Sequence, residues 1–119
     1  MKNTLIFIAI IILLIAGIYV AGRRGTSSVP QEQLEAFAQC IASKDLTMYG
    51  AAWCSHCKKE KALFGAAFQF VPYVECPENQ KLCLDKGIDG YPTWIDADGA
   101  KYPGEQGLEK LAEISGCTL

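Results

Sequence analysis

The sequence predicts an α/β domain, a mixed central sheet flanked by helices, preceded by one N-terminal transmembrane helix. Three observations predict it. Residues 3–22 carry no charge, whereas all 13 acidic residues lie beyond residue 31. From residue 30 onward, apolar residues at helical spacing alternate with short strand-like runs, and the series closes on an Asp-Gly hairpin signal. The 119-residue chain also holds six cysteines, two of them in a Cys-x-x-Cys. The division that follows is a transmembrane anchor over 4–22, a linker over 23–29 and one folded domain over 30–119.

Leu5 to Ala21 contains nothing more polar than Tyr19. At about 1.5 Å per residue, Asn3 to Gly22 rises roughly 30 Å, the thickness of a hydrocarbon core. A cleaved signal peptide is the rival reading, but its apolar region usually runs about 7–15 residues. Val20-Ala21-Gly22 is a passable cleavage site, followed awkwardly by Arg23-Arg24. A buried core helix does not fit a segment apolar on every face. The flanking charges, Lys2 and the amino terminus against Arg23 and Arg24, leave the orientation tied. The cysteines break the tie, because disulfide-capable pairs suit an oxidising compartment. The expected location is the cytoplasmic membrane, single-pass, with the domain on the extracytoplasmic side.

Beyond residue 24 the chain carries 8 lysines against 13 acidic residues, a formal charge of −5. A general nucleic-acid binder needs a basic face to displace counterions from phosphates, so nucleic acid is excluded as a partner class. Gly25-Thr26-Ser27-Ser28 reads as a linker, and Ser28-x-x-Gln31 as a capping box. Leu34, Phe37, Ala38 and Ile41 mark the first amphipathic helix of the domain, with Cys40 on its flank. Leu46 to Ala51 is strand-like and runs into Trp53-Cys54. Leu63, Phe64, Ala67 and Phe68 mark a second helix. Val71 to Glu75 is a strand, followed by a polar stretch holding Cys76 and Cys83. Thr93 to Asp96 is a strand, Ala97 to Ala100 a turn, and Lys101-Tyr102 the start of the return strand. Leu108, Leu111 and Ala112 give a closing helix. Helices alternating with strands, then a hairpin, imply helices on both faces of a mixed sheet.

Cys54-Ser55-His56-Cys57 falls where a strand ends and a helix begins. Two intervening residues let the thiols meet in a small ring and cycle between dithiol and disulfide. At a helix N-terminus, free N–H groups and the helix dipole favour a thiolate, the attacking species. Cysteines so placed have pKa values lowered to roughly 3.5–7.5. Cys54 is therefore the expected nucleophile and Cys57, one turn into the helix, the resolving thiol. His56, the only histidine, lies between them and is expected to stabilise the Cys54 thiolate. A four-thiolate zinc site built from Cys54, Cys57, Cys76 and Cys83 is the rival. Its second pair is separated by six residues rather than the usual two to four, and no metal or other cofactor is expected.

Trp53-Cys54-Ser55-His56-Cys57 after a strand, with Ile88-Asp89-Gly90-Tyr91-Pro92-Thr93 about 35 residues on, resembles the thioredoxin superfamily over residues 30–117. The resemblance implies a cis Pro92 lying against the CxxC, and a Tyr91 whose backbone pairs with bound substrate. Trp53, Tyr91 and Pro92 are thus the expected substrate-binding residues. Phe37-Ala38-Gln39-Cys40, Met48-Tyr49-Gly50-Ala51, Leu63-Phe64-Gly65, Val71 to Cys76 and Gly90 to Trp94 look like the thioredoxin-like domain fused to bacterial homologues of vitamin K epoxide reductase. In those proteins a membrane bundle passes electrons to a quinone and the domain shuttles disulfides to secreted proteins. The bundle has no counterpart here, so the resemblance implies a separate membrane redox partner. Cytoplasmic thioredoxins carry a buried Asp six positions before the first cysteine; Met48 stands there, which removes that proton relay and weighs against a reductase. Ser55 stands where the family commonly has proline.

With Cys54–Cys57 set aside, the remaining four cysteines allow three pairings. Cys76 and Cys83 flank one loop, and Cys40 and Cys117 lie on helices able to share one side of the sheet, so Cys76–Cys83 and Cys40–Cys117 are the expected structural disulfides. These readings converge on a membrane-tethered thiol–disulfide oxidoreductase acting on cysteine-containing secreted proteins as an oxidase. An anchored reductase of the kind serving cytochrome c maturation, and a non-catalytic or zinc-stabilised adaptor, are the alternatives.

Overall fold

The computed structural model describes residues 1–21 and 29–119. Helix α1 (Lys2–Ala21) is followed by α2 (Gln31–Ser43), β1 (Thr47–Gly50), α3 (Ser55–Phe64), β2 (Tyr73–Glu75), α4 (Gln80–Asp85), β3 (Thr93–Ile95), β4 (Lys101–Pro103) and α5 (Gly107–Ser115). Short 3₁₀ segments at Gly65–Phe70 and Cys76–Glu78 lead into β2 and α4. The Arg23-Arg24 pair, the Gly25 to Ser28 linker and the Ser28 end of the expected capping box lie outside the described residues. Helix α2 starts after Pro30, with no side chain capping it.

The expectation of a transmembrane anchor, and with it a single-pass location in the cytoplasmic membrane, is corrected. Among the described residues no helix is long and apolar enough to cross a membrane.

The four strands form one sheet in the order β2-β1-β3-β4. β1 runs parallel to β2, with α3 as the crossover, and antiparallel to β3, which forms a hairpin with β4. This β-α-β unit followed by a β-hairpin and a closing helix gives the mixed sheet that the element order predicts, and it is the thioredoxin-like α/β fold that the resemblance implies. Alternation along the strands gives the sheet two faces. Met48 pairs with Trp94 across β1 and β3, and both join a core made with Phe37 and Ile41 of α2, Phe64 of α3 and Leu111 of α5. Phe64 sits at its centre, 6.0 Å from the Phe37 ring and 6.4 Å from Trp94. Tyr49 and Ile95 instead join a smaller cluster with Cys76 and Cys83, which covers the opposite face.

Two disulfides hold this packing: Cys40–Cys117 ties the end of α2 to the segment after α5, and Cys76–Cys83 staples the 3₁₀ turn to α4. One expected element is divided. The helical pattern through Phe68 is interrupted at Gly65, whose φ of 55° is open to glycine and ends α3. The chain continues as a 3₁₀ segment, so Phe68 still meets Phe64 at 6.0 Å although α3 has ended. At the β3–β4 turn, Asp96 accepts the N–H groups of Asp98 and Ala100 and the Tyr102 hydroxyl, which fixes the hairpin register.

Candidate active site

β1 delivers the chain to a tight turn in which the Cys54 N–H donates to the Ala51 carbonyl at 3.1 Å. Cys54 is the N-cap of α3, and its sulfur accepts the Cys57 N–H at 3.2 Å. That position aims an otherwise unpaired helix donor at the sulfur. The Cys54 thiol also donates to the Tyr91 carbonyl at 3.6 Å. The Tyr91–Pro92 peptide is cis. The Pro92 carbonyl accepts the Gly104 N–H at 2.7 Å, which ties the loop before β3 to the end of β4.

Trp53 is 69% exposed and meets Tyr91 edge to face at 5.9 Å. An open cleft beside this pair is lined by Cys54, His56, Asp89 and Gly90, and a second, on the other side, by Cys76, Cys83, Leu84 and Ile88. Cys54 borders the first cleft, whereas Cys57 is fully buried. The two are the free cysteines among the described residues. The arrangement leaves Cys54, 7% exposed, at the edge of a cleft with the second thiol directly behind it.

Burial pushes the Cys57 thiol up to about 12, reinforced by its hydrogen bond with Cys54 and opposed by the Ala51 backbone. Gly50 makes that burial possible: a Cβ there would stand 2.9 Å from the Cys57 sulfur and 3.2 Å from the Tyr73 ring. The Tyr73 hydroxyl donates to Glu75, whose other oxygen accepts the Ala52 N–H at 2.8 Å. Burial raises the Tyr73 hydroxyl above its usual range, and the Glu75 carboxylate raises it further. For Glu75 burial acts upward, but the bonds from Tyr73 and Ala52 and the Lys61 charge together hold the carboxyl below its usual range. The Lys61 ammonium lies 3.6 Å from the Tyr73 ring centroid.

The His56 ring is exposed, and its Nδ1 pairs with Glu105 at 2.7 Å. Glu60 is 1% exposed and accepts from Trp94 Nε1 at 3.1 Å and from the N–H groups of Gln106 and Gly107 at 2.9 and 3.2 Å. It thereby ties α3 to β3 and to the start of α5. Sequence reasoning passed over Glu60, Tyr73 and Glu75. Glu60 stands three residues after Cys57, on the buried side of a helix, and a charge in that register is a readable sign of a buried partner.

No protein-family model matches the chain. It is 42% identical over 93 residues to the thiol-disulfide oxidoreductase LTO1 of Arabidopsis thaliana, an overlap of 71% of this chain and 24% of that protein. It is 37% identical over 82 residues to the protein disulfide isomerase-like 2-2 of Oryza sativa subsp. japonica, covering 58% of this chain and 22% of the relative. A crystal structure of the thioredoxin NaTrxh from Nicotiana alata overlaps 76% of this chain and 95% of its own, at a TM-score of 0.47 and 18% identity. The chain spans about a quarter of the length of the two curated relatives. The topology, with one thiol at the edge of a cleft and one buried a helical turn behind it, is that of a thioredoxin-like fold. A CxxC dithiol so placed is suited to thiol–disulfide exchange.

Proposed function

We propose that the chain forms disulfides in cysteine-containing secreted proteins, and that a separate membrane partner of the vitamin K epoxide reductase type, linked to quinone, reoxidises it. The observation that carries this reading is the pair of free thiols at the start of α3, with Cys54 at the cleft and Cys57 behind it. Starting from the Cys54–Cys57 disulfide, a substrate thiolate attacks the Cys54 sulfur. Cys57 leaves as a thiolate and takes up a proton. A second substrate thiolate then attacks the substrate sulfur of the mixed disulfide and expels Cys54 as a thiolate. The substrate dithiol becomes a disulfide, the protein becomes a dithiol, and the electron pair passes on to the partner.

Trp53, Tyr91 and Pro92 frame the extended substrate segment in this reading, with the Tyr91 carbonyl already facing Cys54. His56, held beside the motif by Glu105, lines the same cleft as Cys54. Two further disulfides in so small a domain support an oxidising setting, and Met48 in place of a buried carboxylate supports the oxidising direction.

The test is equilibration of the Cys54–Cys57 pair with glutathione, together with single-turnover oxidation of a reduced secreted protein. A potential near about −120 mV with transfer of one disulfide per chain is expected, and a potential near about −270 mV with no net transfer contradicts the oxidising direction.

A further inference from the structure

Cys57 poses a chemical problem that the CxxC alone does not solve. To close the Cys54–Cys57 bond it must give up a proton, and when it leaves that bond it must gain one. It is fully buried, so bulk water does not reach it. Its raised pKa keeps it protonated at neutral pH. Part of that cost disappears once Cys54 enters a mixed disulfide, because the hydrogen bond and charge of Cys54 both act to raise Cys57. The burial remains.

The side chains that bear on Cys57 come from two elements. Cys54 lies at the start of α3, Lys61 one turn beyond Cys57 on the same helix, and Tyr73 on β2 across Gly50. The place where a Gly50 Cβ would stand is 2.9 Å from the Cys57 sulfur and 3.4 Å from the Tyr73 hydroxyl oxygen. That hydroxyl already donates to Glu75. Glu75 is fixed from its other side by the Ala52 N–H, two residues before Cys54, and its backbone pairs in register with Gly50. Lys61, over the Tyr73 ring, balances the carboxylate. The hydroxyl oxygen and the Cys57 sulfur thus both lie beside Gly50, and the hydroxyl proton points to Glu75.

We infer that Tyr73 and Glu75 form a proton relay for Cys57, with Lys61 as the residue that positions it. When the pair closes, the Tyr73 proton moves to Glu75 while the hydroxyl oxygen takes the Cys57 proton, directly or through one water. The Cys57 thiolate attacks the Cys54 sulfur of the mixed disulfide, and the bound partner leaves with the electron pair. When a substrate opens the disulfide, the same path runs backward and protonates the departing Cys57. The relay rests on the exchange proposed above and serves both its half-reactions.

Oxidised glutathione as the probe separates the two ideas. Added to the reduced full chain, it forms a glutathione adduct at Cys54, which Cys57 then resolves; acid quenching and intact-mass measurement follow both steps. In Tyr73→Phe, and independently in Glu75→Gln, the adduct should persist and resolve about 10²-fold more slowly between pH 6 and 7. The deficit should shrink as pH rises and hydroxide takes over the proton. Wild-type resolution rates in both variants, or a slowing equal at every pH, would overturn the relay while leaving the exchange standing. No adduct in either variant, with no conversion of the wild-type dithiol to the Cys54–Cys57 disulfide, would overturn the exchange and the relay together.

Discussion

At the scale of single residues, the two cysteines divide their roles by access, and pH makes that division measurable. A thiol whose pKa is raised stays protonated until the pH approaches the raised value. In the reduced chain Cys57 should therefore resist iodoacetamide at neutral pH, while Cys54 is modified, as peptide mass mapping would read; equal labelling of both at pH 7 would contradict the burial argument. The same shift has a stability consequence. Unfolded, Cys57 has an ordinary pKa of 9.0; folded, it is pushed up to about 12. Below pH 9 both states hold the proton and the contribution is fully present. Above pH 9 the unfolded state releases its proton first, so stability falls as pH rises toward 12. The reduced chain should lose stability across that window more steeply than the chain with Cys54–Cys57 oxidised, as urea midpoints at pH 8 and 10 would show. Gly50→Ala is expected to disturb the same spot, since its methyl would sit 2.9 Å from the Cys57 sulfur, and to loosen Cys57 protection from alkylation.

The residues of the site differ in how far the sequence exposes them, and the reason is physical. Cys54 and Cys57 are legible because spacing and a strand-to-helix junction are local properties. Gly50 has no such signature: its missing side chain matters only once Cys57 and Tyr73 converge on it from elsewhere in the chain. The Glu60 bond to Trp94 joins residues 34 positions apart, and its bonds to Gln106 and Gly107 span 46 and 47. No local pattern encodes such closures. Tyr73 and Glu75 share one side of β2 by strand alternation, which is readable, but the thiol they face is not.

At the scale of elements, α3 is defined at both ends by single residues. Cys54 caps its start, and Gly65 ends it by adopting a positive φ. Its interior is tied to the rest of the domain through Glu60, a buried carboxylate satisfied by three donors from β3 and the start of α5. Removing the carboxylate leaves those donors without a partner and opens a cavity. Glu60→Ala should cost on the order of 3 kcal/mol in urea unfolding, and Glu60→Gln less, because an amide oxygen still accepts. The division of the expected second helix at Gly65 is the clearest limit of periodicity. Ala67 and Phe68 keep apolar positions in a 3₁₀ segment that the apolar pattern alone does not distinguish from helix.

At the scale of the whole molecule, the sheet has a helix-covered core on one face and a disulfide-stapled cluster on the other. The mixed sheet was legible because β-α-β alternation and an Asp-Gly hairpin dictate parallel and antiparallel neighbours in turn. The expected membrane span, argued from an uncharged run of roughly 30 Å, was not upheld: among the described residues no helix is long and apolar enough to cross a membrane. Cys40–Cys117 closes a sequence separation of 77 residues and joins α2 to the end of the chain after α5. Replacing both cysteines with alanine should lower stability by roughly 2–5 kcal/mol. That loss should leave the alkylation of Cys54 in place at temperatures where the fold persists.

The central claim is that Cys54 is attacked by, or attacks, a partner sulfur and that Cys57 resolves the resulting bond. Trapping tests it most directly. Cys57→Ala, incubated oxidant-free with a protein carrying an accessible disulfide, should accumulate a covalent complex that reductant dissolves and that maps to Cys54. The wild-type chain should pass through the complex without retaining it, and Cys54→Ala should form none. A complex of equal yield in Cys54→Ala, or none in Cys57→Ala, would contradict the account.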